Sequence, residues 1–192
     1  FKGYDPSFYW FRFIIRNAKA TPVELIFMQA GLGIRDSELW QGKDGQWVSL
    51  GKTGYKYPYR SRPYLNVHYC HPISIAAHST DTFYLYKDER HAFKVDGFVL
   101  NDPGSLKKKE VNFYFLFGNM LGLLVLFIFI NLYLYFSIKE KIHLWYSAYL
   151  LFTLLFLIKN EGLDAEFLGL DSEAGYRSTS MGGFASLAMG FL

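Results

Sequence analysis

The chain first alternates apolar and polar residues in twos, then runs apolar almost without interruption. Across 10–17, Phe11, Phe13 and Ile15 fall on one side and Trp10, Arg12, Ile14 and Arg16 on the other, the period of a half-buried strand. Segments 22–28 and 34–40 follow, and Lys43-Asp44-Gly45 is a turn signal before 46–50, which together predict a hairpin. After a Gly- and Tyr-rich stretch over 51–63, strands are predicted at 73–77, 82–86 and 92–100, each bounded by Ser, Thr, Asp or Gly. No helical apolar stripe occurs among them. Six or seven short strands predict an all-β sandwich or jelly roll over 1–105, expected to lack an N-terminal strand.

Beyond Glu110 the pattern changes. Neither 111–138 nor 142–158 contains an Asp, Glu, Lys or Arg. As a helix the first is about 42 Å long against a hydrocarbon core of about 30 Å, so it spans with a tilt or a wet first turn. The second is short for a span, but Lys141, Lys159, Trp145 and Tyr146 are suitable interfacial anchors. The expectation is a membrane region over 106–192, with helices at about 113–138 and 142–158 and a third starting at about 182. The opening Phe1, with no basic or apolar leader behind it, and the apolar run at 182–192 predict a fragment cut at both ends.

Charge decides the orientation only in part. Lys139-Glu140-Lys141 is net basic, whereas 159–180 carries five acids against two bases, which places the short loop in the cytoplasm. Lys107, Lys108 and Lys109 argue the other way, but a domain of this size translocates largely regardless of charge. The first 105 residues carry 13 Lys or Arg and 10 Asp or Glu, too mild an excess for nucleic-acid binding. The single cysteine, Cys70, leaves the soluble part to rest on its core rather than on an internal disulfide.

Candidate chemistry is sparse. His68, Cys70, His71 and His78 invite a metal reading, but on a strand His71 opposes His68 and Cys70, and no second pair completes a tetrahedron. No metal or cofactor is assigned. Nucleophile-elbow, phosphate-loop and zinc-protease signatures are absent, so no catalytic residue is assigned either. The stretch 55–64 alternates Tyr with Lys and Arg, a combination that suits sugar rings and anionic groups. Arg60, Arg62 and Tyr57, with Trp40, are therefore the expected ligand-binding residues; the competing reading is a loop pinned by prolines and packed tyrosines, with Arg62 structural. Trp40 and Trp47 flank the hairpin and fit either a stacking platform or the core. In the first apolar helix, Gly118-x-x-x-Gly122 and Asn131 are expected at helix contacts.

Several short motifs recur in a telling order: Tyr9-Trp10-Phe11-Arg12-Phe13 with Asn17, Glu38-Leu39-Trp40 leading to Gly45-Gln46-Trp47, Arg62-Pro63, His71-Pro72-Ile73, and Thr82-Phe83-Tyr84-Leu85-Tyr86. Together they resemble the type 2 extracellular domain of the bacterial seven-transmembrane receptors with diverse intracellular signalling modules. In that family a first helix follows, and Gly122-Leu123 and Asn131-Leu132-Tyr133-Leu134-Tyr135 resemble its core. The family often has Arg after the Tyr-Leu of the late strand, where this chain has Tyr86-Lys87, so no role of that arginine carries over.

The resemblance implies a jelly-roll sensor, similar to carbohydrate-binding modules, on the periplasmic side of the bacterial inner membrane, above helices that lead to a cytoplasmic signalling module. The expected partners are a small ligand such as a saccharide, membrane lipid and, as an open alternative, a second copy in a homodimer; no nucleic acid is expected. Two other functions stay open at this point: a membrane-anchored protein-interaction domain, and an accessory domain of a transporter or membrane enzyme.

Overall fold

The computed structural model describes residues 7–31, 33–43, 45–89 and 97–167. Seven strands come first: β1 Phe8–Arg16, β2 Val23–Gln29, β3 Asp36–Lys43, β4 Gln46–Thr53, β5 Tyr69–Ile75, β6 Thr80–Asp88 and β7 Phe98–Asn101. Helices α1 Pro103–Ile138, α2 Lys141–Asn160 and α3 Leu163–Phe167 follow. The strands form two antiparallel sheets, one ordered β1-β6-β3-β4 and the other β5-β2-β7. A β-sandwich followed by two long apolar helices is the architecture.

The alternation read from the sequence sets which side of each strand is buried. In β1, Phe11, Phe13 and Ile15 turn inward while Trp10, Arg12, Ile14 and Arg16 are exposed. The core is Phe27, Leu39, Ile73, Ile75, Phe83 and Leu85, with Phe13 stacked between Phe27 and Phe83 at 5.0 and 5.3 Å. Burial of this apolar area is the main favourable term, at about 25 cal/mol per Å². Asn17 closes one end: its side-chain amide donates to the carbonyls of Thr21 and Ala76, and its Oδ1 accepts from the Lys19 amide. The hairpin turn between β3 and β4 has Gly45 at φ +77°, a conformation that glycine adopts at little cost.

Three boundaries differ from the sequence expectation. Strand β5 begins at Tyr69 rather than near 73; His71 and Pro72 hide its pattern, yet His71 points into the core and Pro72 sits exposed on the other side. Of the strand expected at 92–100, only Phe98–Asn101 is described, and 90–96 lie outside the described residues. Helix α1 begins ten residues before the expected start near 113. Asp102 is its N-cap, the carboxylate accepting from the Ser105 amide at 3.1 Å, and Pro103 occupies the first turn, where its missing N–H costs nothing. The third helix expected near 182 also lies outside the described residues, and the short α3 had no signal in the sequence.

Candidate functional site

The two outer faces of the sandwich differ. On the three-stranded sheet, Ile26 and Cys70 are covered by Leu106 from the first turns of α1, with Met28 and Tyr64 packed alongside. Only Asp102 separates β7 from α1, so strand and helix are joined without a linker. Polar contacts brace the joint: Lys109 Nζ donates to Asn101 Oδ1 at 2.9 Å, and the Asn66 amide donates to the Glu110 carboxylate. Burial behind the helix pushes the Cys70 thiol up to about 12.

The helices return to the same region. Helix α1 is about 54 Å long by its 36 residues, so its first turns stand clear of the hydrocarbon layer. Helix α2 folds back against it, with Asn131 Oδ1 3.4 Å from His143 Nδ1 and the Ser147 hydroxyl donating to the Ile128 and His143 carbonyls. At the far end Lys159 pairs with Asp164 at 2.5 Å, and Glu166 of α3 accepts from the Tyr114 hydroxyl at 2.7 Å. Glu166 also bonds Tyr59 of the sandwich; burial first, and this carboxylate second, push the Tyr59 phenol up to about 12.

The residues expected to form one ligand surface are dispersed. Arg62 is buried, its guanidinium lying 4.8 Å from the ring centroids of both Tyr59 and Tyr69. It donates to the Asn66 carbonyl at 2.8 Å, so it holds the loop from within and presents little to solvent. Arg60 is exposed in the short turn of 3₁₀ helix at Tyr59–Ser61. Tyr57 donates to Asp36 Oδ1 at 3.1 Å, beside Lys56, which bonds the other oxygen. Trp40 lies on the outer face of β3.

Of the helix candidates, Asn131 faces α2, but a Cβ at Gly118 or Gly122 meets nothing within 4 Å, so the α1–α2 contact does not use the glycine pair. Of the residues weighed as metal ligands, Cys70 faces α1, whereas His71 faces the core, its Nε2 bonded to the Gly51 carbonyl at 3.1 Å. Burial lowers the His71 pKa to about 4, keeping the ring neutral. Lys87 points inward and pairs with Glu89 at 2.8 Å, while Tyr86 beside it points outward.

The outer face of the four-stranded sheet carries a second constellation, of which the sequence singled out only Trp40 and Trp47 as a candidate stacking platform. Register places Trp10 beside Tyr86, Arg12 beside Tyr84, and Tyr84 beside Trp40. Trp10 and Tyr86 have ring centroids 5.3 Å apart, and Trp47 meets Tyr84 edge to face at 4.9 Å. Gly42 makes room for this, since a Cβ there would lie 2.9 Å from the Trp47 ring. Trp10 and Trp47 still expose 57% and 52% of their surface, far more than core tryptophans do. The outward positions of β1 already implied half of this face. Between β1 and β7, the end strands of their sheets among the described residues, there is also a cleft of about 430 Å³, walled mainly by Phe11, Phe13, Phe27, Phe98 and Leu100.

Comparison with known families follows the same division. The extracellular domain family described as 7TMR-DISM extracellular 2 matches residues 2–96. The membrane family described as 7TM diverse intracellular signalling matches residues 113–192. The chain belongs to the 7TMR-DISM receptors. No curated protein matches it. Membership puts the sandwich in the periplasm and both long helices in the membrane of a signalling receptor. Lys107, Lys108 and Lys109 are then exposed periplasmic residues on the part of α1 that packs against the sandwich, so family membership decides the orientation against their charge.

Proposed function

We propose that the periplasmic sandwich binds a small ligand, a saccharide, and that binding biases the helices below it through the joint between β7 and α1. The observation that carries this reading is the joint itself. A flexible linker would let the sandwich respond without moving α1, whereas Leu106 buried against Ile26 and Cys70, with Asn66 on Glu110, ties the two together. The Tyr59–Glu166–Tyr114 cluster supports a second tie, to the end of α2 through α3. A ligand transmits a signal only by favouring one arrangement of this joint over another.

The saccharide is supported by side-chain chemistry: exposed indole and phenol rings offer flat faces to sugar rings, as in the jelly-roll carbohydrate-binding modules that this domain resembles. The test is a glycan-array screen of the full chain in lipid nanodiscs, followed by a distance measurement between spin labels at Ser74 and Lys108. A bound glycan is expected to shift that distance. Saturating binding that leaves the distance unchanged would overturn transmission through the joint.

A further inference from the structure

Resting on the saccharide reading, we infer that the outer face of the four-stranded sheet is the binding surface and that its ligand is an acidic saccharide chain, with rings on the aromatic residues and carboxylates on Arg12. Location comes first. One outer face is covered at one end by Leu106 of α1, whereas the other carries Trp10 and Trp47, both more than half exposed, in contact with half-buried Tyr86 and Tyr84. Tyr84 and Tyr86 are two residues apart on β6, so the pairs repeat about every 7 Å along the strand. Contiguous exposed aromatic area of this kind marks a binding surface rather than scattered surface residues.

Shape selects the kind of ligand. A small compound is usually taken into a concave pocket that covers most of its surface. This face is an open sheet, which suits a chain of rings laid across it. The cleft between β1 and β7 is walled mainly by phenylalanine and aliphatic side chains, with Arg12 the one charged residue along it, and offers a hydroxyl-rich ligand few partners.

Charge selects within that class. Arg12 and Arg16 are exposed on the same side of β1 and form no ion pair among the described residues. The acids at outward positions of this sheet are already engaged: Glu38 by the Ser49 hydroxyl at 2.7 Å and by Lys52 at 3.8 Å, Asp36 by Lys56 and Tyr57, and Asp88 by Arg35 at 3.3 Å. Arg12 is the next outward residue after Trp10 on β1 and is paired with Tyr84, so its position adjoins both aromatic pairs. A ligand that stacks on those rings therefore meets an unneutralised cation, whose planar fork pairs with a carboxylate through two hydrogen bonds.

The experiment titrates the full chain in nanodiscs with oligogalacturonate and, separately, with an uncharged galactose oligomer of equal length, following tryptophan fluorescence and calorimetry. Oligogalacturonate is expected to bind more tightly and to weaken as salt rises. Trp47→Ala and Arg12→Gln are each expected to lower its affinity about tenfold or more, and Arg12→Gln to abolish the preference for the acid. Arg60→Ala is expected to change nothing.

Equal binding of both oligomers, lost in Trp47→Ala, would overturn the acidic specificity and leave the saccharide reading standing. Binding unaffected by Trp47→Ala and Arg12→Gln would overturn the location alone. Failure to bind either oligomer overturns the acidic-saccharide inference, and the saccharide reading falls with it only when the glycan array is blank as well. A fall in molecular mass in Trp47→Ala, with no saccharide bound by the wild type, would assign the face to a second copy of the chain instead.

Discussion

Arg62 shows how one residue type supports opposite roles. Its place between tyrosines and prolines suits a ligand clamp, but the loop folds so that the guanidinium turns inward to the Asn66 carbonyl and between two rings. Arg62→Ala is expected to destabilise the domain by about 1–3 kcal/mol by orphaning that buried carbonyl, whereas exposed Arg60→Ala is expected to stay within about 0.5 kcal/mol. Thermal unfolding of the two variants checks this. His71 makes stability depend on pH. Its pKa is about 4 when folded and 6.5 in the open chain, so the unfolded state binds the extra proton between those values. Its contribution is fully present above about pH 6.5 and is lost as pH falls towards 4, a change of about 3 kcal/mol. Denaturant titrations across that window are expected to show the loss in the wild type and a flatter profile in His71→Gln.

Legibility varies by element. β1 was readable because Phe11, Phe13 and Ile15 alternate strictly with exposed neighbours, and the span of α1 because nothing charged interrupts it. The start of α1 was not, because Lys107-Lys108-Lys109 reads as a polar boundary. Those lysines sit on the open side of a helix whose Leu106 is buried, a tertiary fact that no local period reveals. The ligand surface was half legible for a similar reason: alternation placed Trp10 and Arg12 outside, but only the pairing of β1 with β6 brings them to Tyr84 and Tyr86. The glycine pair illustrates the converse, since Gly118 and Gly122 fit a contact motif yet lie away from α2. Gly118→Leu is expected to leave the α1–α2 hairpin intact. Cross-linking between cysteines at Asn131 and His143 checks this, and loss of the cross-link would show that the glycine shapes that contact.

At the scale of the molecule, the sandwich, its joint and the helix hairpin form one connected structure across the membrane surface. Topology is directly testable: in spheroplasts, a cysteine at Lys43 is expected to react with an impermeant maleimide and one at Glu140 only after permeabilisation. The central claim is that α1 stays seated on the sandwich, and the chain carries its own reporter in Cys70. This thiol lies beneath Leu106, and burial holds its pKa near 12. The decisive measurement is the rate of Cys70 alkylation in the full chain in nanodiscs at pH 8. The seated joint predicts a rate about a hundredfold or more below that of the denatured chain, and a rise of about tenfold or more in Leu106→Ala with the strands still folded. Alkylation of the native wild type at the rate of an open thiol would contradict the account.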